Sequence, residues 1–129
     1  MYGDVIGWKS KKQRYVTKAS TYAEYVALSE AVSELISIRE IMKIFNVNLD
    51  DNPVQIYEDN SEVVSIAKHG NFTKNSKHIE VHYHYVHECL KEIKINILKV
   101  STDENTADIF TKALCREKFE RFRSWMNVY

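Results

Sequence analysis

Three carboxylates, Glu24, Asp59 and Asp108, occupy positions where they could act together on a metal ion. Glu24 precedes Leu28 by four residues and Ala31 by seven. It therefore extends the stripe Leu28, Ala31, Leu35, Ile38 and Met42, whose spacing is that of one helical face, and is expected to point toward a sheet. Asp59 closes the β-rich run Val54-Gln55-Ile56-Tyr57-Glu58, and in open α/β sheets ligands bind at the carboxyl ends of strands. Its parity with Gln55 and Tyr57 would aim it at the helix-covered face. Asp108 lies near the start of a later helix. Each acid also has a local explanation. Thr21-Tyr22-Ala23-Glu24 is a capping box, Asp59 or Asn60 can cap the following helix, and an acid in a first turn is stabilised by the macrodipole. Taken together, a helix acid, a strand-end acid and a later acid could converge on divalent cations. Mg²⁺ is commonly held by one or two carboxylates with water and phosphate in its other positions. Two such ions about 4 Å apart activate water and stabilise the leaving oxygen of a phosphodiester.

The elements that must position these acids follow from the pattern. Residues 4–9, with Val5, Ile6 and Trp8, read as a short strand at a sheet border, running into Lys9-Ser10-Lys11-Lys12-Gln13. Ser20 and Thr21 offer caps for a long helix from Tyr22 to about Phe45, which lacks Gly and Pro. Asp51-Asn52-Pro53 breaks the chain before the 54–58 strand, and Asp59-Asn60 ends that strand. A short helix spans Ser61 to Lys68, Gly70-Asn71 turns, and a second helix spans Lys77 to Glu92. Residues 93–100 alternate as a half-buried strand does, and after the loop 102–105 a helix is expected from Thr106 toward Trp125. Interleaved strands and helices give an α/β layer fold in one domain of 129 residues, a length that suits a single core.

The 18 basic and 18 acidic residues cancel, so no global field holds the chain on nucleic acid or an acidic membrane. The distribution is uneven. Lys9, Lys11, Lys12, Arg14 and Lys18 make one end basic, and Lys112, Arg116, Lys118, Arg121 and Arg123 the other, while Asp50, Asp51, Glu58, Asp59 and Glu62 lie between. Basic flanks around an acidic centre suit a phosphate backbone held near bound cations, although a solvated surface explains the charge equally simply. No run approaches the roughly 20 apolar residues of a membrane helix, and Met1-Tyr2-Gly3-Asp4 opens without a signal-peptide core. The expectation is a soluble intracellular protein, cytoplasmic or nuclear, without membrane partners. Cys89 and Cys115 lack metal or disulfide-framework spacing and read as free thiols. His78 and His82 share a helical face, but His84 and His87 lie on roughly the opposite one, so the histidines near Cys89 do not form one zinc cage. Phe119, Phe122 and Trp125 fall at the spacing of a packing face.

Six motifs occur in order between residues 8 and 112: Trp8-Lys9-Ser10-Lys11-Lys12-Gln13, the Ser20–Ala31 run, Ile56-Tyr57-Glu58-Asp59-Asn60, Lys77-His78-Ile79, Tyr83-His84, and Ala107-Asp108-Ile109-Phe110-Thr111-Lys112. Together they resemble the ribonuclease H domain that ends the Pol polyprotein of copia-type LTR retrotransposons. The resemblance implies a ribonuclease H-like mixed sheet flanked by helices, cleaving the RNA strand of RNA/DNA hybrids with two Mg²⁺ or Mn²⁺ ions. It carries the roles of catalytic and metal-binding acids to Glu24, Asp59 and Asp108. Lys9, Lys11, Lys12, Lys74, Lys77, His78, Lys112 and Arg116 become the expected contacts to the nucleic acid.

In that family two further strands precede the Trp8 motif, and the first carries an aspartate bridging both metals. These residues contain neither strand. Asp4, just before the strand of Trp8, is no substitute by resemblance. With three acids the second cation is under-neutralised, so weakened metal binding and no appreciable hydrolysis are expected of this chain alone. The family's first strand is central in its sheet, beside the strand matching 54–58. The expectation is that segment 4–9 moves in, that another chain or a second copy completes the sheet, or that the protein is poorly stable. A non-catalytic nucleic-acid-binding or strand-pairing module is the alternative reading.

Overall fold

A computed structural model describes residues 4–13, 20–48, 53–70, 77–93 and 95–129. They fall into two compact units, one made of residues 16–99 and the other of residues 1–15 with 100–129. Both helices and strands are present, as the α/β expectation requires.

In the larger unit the long helix α1 runs Ser20–Ile44. Its buried face is Tyr25, Leu28, Ser29, Val32 and Arg39. Of the expected stripe, Leu28 is in the core and Leu35 packs against it, but Ala31 and Ile38 are exposed. The sequence offers α1 two apolar flanks at helical spacing. Packing against α2 (Ser61–His69) and α3 (Lys77–Glu92) selects the one through Tyr25 and Val32. The other flank leaves Ile38, Ile41, Ile44 and Phe45 exposed toward the helix end. Val63, Ala67, Ile79 and Val86 are fully buried against Tyr25 and Val32, and with Ile95 and Ile97 they make the core.

Strands β1 (Val54–Glu58) and β2 (Ile95–Lys99) pair in parallel, from Val54 with Ile95 to Glu58 with Lys99. A parallel pair needs a crossover, and α2 and α3 supply it. Among the described residues the sheet has these two strands only. Ile95 and Ile97 of β2 face the core and Asn96 faces out. In β1 the half-buried residues are Val54, Ile56 and Glu58, while Gln55 and Tyr57 are exposed. The parity that was to aim Asp59 inward with Gln55 and Tyr57 is therefore that of the outer face. α2 ends at Gly70, whose φ of 73° is the left-handed conformation that glycine adopts without strain, and its N–H closes on Ile66 O at 2.9 Å.

In the smaller unit residues 4–13 form no strand, contrary to expectation. The β-forming residues Val5, Ile6 and Trp8 suit a strand, but a strand exists only where its ladder finds a partner. The expected helix from Thr106 to Trp125 is two pieces, a 3₁₀ turn Thr106–Phe110 and a helix α4, Arg116–Trp125. Asn105 caps the first through its side-chain oxygen and the Ala107 N–H. Asp108 O accepts from both Thr111 and Lys112, at 3.1 and 2.9 Å, which tightens the turn and ends it. Phe122 and Met126 are buried as α4 packs, but Phe119, expected on the same face, is 43% exposed.

Candidate functional site

α1 and the carboxyl end of β1 meet through Asn60. Its side-chain oxygen accepts from Glu62 N and Val63 N, capping α2, and its Nδ2 donates to Glu24 Oε2 at 2.5 Å. Its backbone N–H donates to Glu58 Oε1 at 3.0 Å. One asparagine thus starts a helix while holding two carboxylates. α1 already begins at Ser20, which places Thr21 inside the helix rather than at the cap that a box with Glu24 needs, and Thr21 Oγ1 donates to Glu62 Oε2 at 2.7 Å. Asn60 likewise takes the cap that Asp59 could have made. Asp59 O accepts from Lys99 Nζ, which brings a cation from the end of β2 to the same strand end.

Glu58 is the acid that sequence reasoning missed. Burial raises its pKa above the ordinary carboxylate range; the Asn60 N–H opposes that shift, and the like charges of Glu24 and Asp59 add to it. The signal was present in the parity of Ile56 and Glu58, but reading it required knowing which face of β1 is covered.

Asp108 belongs to the smaller unit. It is 4% exposed, its Oδ1 pairs with Lys112 Nζ at 2.8 Å, and its Oδ2 is buried with no hydrogen-bond partner among the described residues. A buried carboxylate oxygen without a donor is the kind of group that a hard cation satisfies. Asp108 therefore suits metal binding better than its place in a first turn alone explains. Among the described residues no three His, Cys, Asp or Glu side chains converge closely enough to hold a metal ion.

Of the expected nucleic-acid contacts, Lys9, Lys11 and Lys12 are exposed in segment 4–13 of the smaller unit. Lys112 is engaged by Asp108, and Arg116 Nε pairs with Glu120 Oε1 at 2.8 Å. Lys74 lies outside the described residues. Lys77 and His78 open α3, with side chains outside the described set. The other histidines have separate engagements. His82 Nδ1 lies 3.0 Å from Ser29 Oγ, His84 faces Glu80, and His87 stacks on Tyr83. Cys89 is a buried free thiol and Cys115 an exposed one. Among the described residues no helix is long and apolar enough to cross a membrane.

Over 127 residues, 98% of its length, the chain is 34% identical to the retrovirus-related Pol polyprotein from transposon TNT 1-94 of Nicotiana tabacum. The chain is homologous to a segment of retrotransposon Pol polyproteins. The similarity extends to the Pol polyproteins from transposons RE1 and RE2 of Arabidopsis thaliana, 33% and 34% identical over 123 residues, 95% of the chain. The chain spans only 9% of the first of these polyproteins and 8% of the other two. No family model and no solved structure matches it.

Proposed function

We propose that this chain is the ribonuclease H-like segment of a retrotransposon Pol polyprotein, with Glu24, Asp59 and Asp108 as the acids that hold Mg²⁺ or Mn²⁺ for cleavage of RNA in RNA/DNA hybrids. The observation that carries this reading is the 2.5 Å bond from Asn60 to Glu24, which brings a helix acid to the strand end occupied by Glu58 and Asp59. A structural surface glutamate needs no such tether. All the candidate donors are carboxylate oxygens, the chemistry hard divalent cations select. When bound, such ions would activate water and stabilise the leaving oxygen. The residues' own tasks are positional. The Asn60 amide orients Glu24, the Asn60 N–H orients Glu58, and Lys99 offsets part of the negative charge at the strand end.

On this reading the 129 residues supply three of the four acids that the resemblance requires, so the isolated chain is expected to bind Mg²⁺ weakly and to turn over little or no hybrid. The test is degradation of a labelled hybrid with Mg²⁺ or Mn²⁺, with Asp59→Asn as control. Metal-dependent products that vanish in the variant would establish the activity and overturn the expected inactivity. Full activity in both proteins would remove Asp59 from the site.

The binding-module reading is favoured by one observation, the exposure of Lys9, Lys11 and Lys12 in a segment, residues 5–13, that contains no acid. Hybrid affinity on that reading falls steeply with salt. Completion of the sheet by a further strand, from another part of a Pol polyprotein or a second copy, fits β1 having a single paired edge among the described residues. Light scattering that finds only monomer at high concentration would exclude the second copy.

A further inference from the structure

We infer that Trp8, backed by Phe110, is a stacking platform for an unpaired base of single-stranded nucleic acid; the inference rests on reading the chain as a nucleic-acid-handling domain. The indole of Trp8 and the ring of Phe110 are parallel within 2°, their centroids 5.3 Å apart, an offset stack. Trp8 is nevertheless 68% exposed, so one face is covered and the other is open. An isolated exposed aromatic is ordinary, and its ring is free to sample rotamers. A coplanar neighbour restrains the ring, which lowers the entropy lost when a second flat group lands on it. Phe110 is itself half-buried and closes the 3₁₀ turn that holds buried Asp108, so the backing is anchored.

The charge of the segment selects the occupant. Lys9, Lys11 and Lys12 lie within four residues of Trp8 in the chain and are exposed, and residues 5–13 hold no Asp or Glu. A ligand that matches both an open aromatic face and adjacent lysines is flat, apolar on its faces and anionic along its length. A single-stranded polynucleotide has that pattern, and the combination of aromatic stacking with a basic track is how such strands are held without sequence preference. A duplex keeps its bases stacked internally and offers none to Trp8.

The experiment uses the 129-residue chain carrying Trp125→Phe, which leaves Trp8 as the only indole. A short oligouridylate is expected to quench its emission, and inorganic polyphosphate, with charge but no bases, to leave it unchanged. In the parent chain Trp8→Leu is expected to weaken oligouridylate binding roughly ten-fold, with the salt dependence unaltered because the phosphate contacts persist. Trp8→Phe should keep most of the affinity. Equal binding by Trp8→Leu, equal quenching by polyphosphate, or an emission shift produced by anionic phospholipid vesicles and not by the oligonucleotide would each overturn the inference. The quenching measurement needs no substitution at Trp8, so it stands even where Trp8→Leu unfolds. A parallel titration with RNA/DNA hybrid separates the two readings. Failure of the parent to bind hybrid strikes the proposed function, whereas hybrid binding without oligouridylate quenching strikes this inference alone.

Discussion

Asn60 and Glu24 are joined side chain to side chain across 36 residues of sequence, and the bond fixes the first turns of α1 to the strand end of β1. The same asparagine caps α2, so one substitution disturbs a helix start and a carboxylate pair together. Asn60→Ala is expected to lower stability by about 2 kcal/mol, roughly half from the cap and half from the hydrogen bond to a charged group. Asn60→Asp keeps the capping oxygen but sets a carboxylate against Glu24. Its loss should be near 1 kcal/mol at neutral pH and should shrink when Mg²⁺ is added. Urea unfolding with and without Mg²⁺ separates the two variants.

Glu58 gives the stability a pH signature. Burial and the nearby acids raise its pKa in the folded chain, so the folded state holds the proton more tightly than the unfolded one. The favourable contribution is complete below the unfolded value and is lost as pH rises through the raised folded value. The measurement is the urea midpoint as a function of pH, in the parent and in Glu58→Gln. The parent should lose stability as pH rises from the ordinary carboxylate range toward neutrality, and the variant should show a flatter profile. Matching profiles would exclude Glu58 as the source.

Asp108 and Lys112 form a lopsided pair, one partner 6% and the other 53% exposed at the side chain. Removing the cation takes a partner from a buried carboxylate, whereas removing the acid leaves a lysine whose side chain is already about half in solvent. Lys112→Met is therefore expected to destabilise more than Asp108→Asn, by about 1–2 kcal/mol once solvent screening is allowed for. Thermal melts of both variants would check the order. A larger thermal shift from Mg²⁺ in Lys112→Met than in Asp108→Asn would mark the Asp108 carboxylate as a ligand.

Gly70 is held by its neighbour as well as by its backbone. A Cβ at this position would strike the Tyr83 hydroxyl, and the left-handed φ already disfavours a side chain. Gly70→Ala should cost about 1–3 kcal/mol. Adding Tyr83→Phe should recover part of the steric cost, since the ring itself stays close to the added Cβ, and leave the backbone part, and a double-mutant cycle in urea measures the coupling.

Local signals made much of the fold readable. α3 has the expected limits, Lys77 to Glu92, because its ends coincide with a sharp change in pattern. α1 and α2 differ from expectation by a residue or two at their ends, which is the scatter of helix boundaries generally. Residues 4–9 resisted the reading because a strand depends on a distant partner, and the last helix broke without a Gly or Pro to announce it. The face of α1 was only partly legible for a related reason: Leu28 and Leu35 do meet the core, but Ala31 and Ile38 satisfy the helical period as well as Tyr25 and Val32 do, and only packing against α2 and α3 chooses between them. At the candidate site, composition and spacing marked Glu24. They could not show that Asn60, read as a rival cap, is the residue that ties Glu24 to the strand end, since that bond exists only once the two elements meet.

The register of β1 on β2 also has a consequence for biosynthesis. Partners stand 41 positions apart, Val54 with Ile95 and Glu58 with Lys99. At translation rates of about 5–20 residues per second, β1 leaves the ribosome some seconds before β2 does. Its ladder groups stay open to solvent and to chaperones throughout that delay, which makes this nascent sheet a late-closing part of the chain.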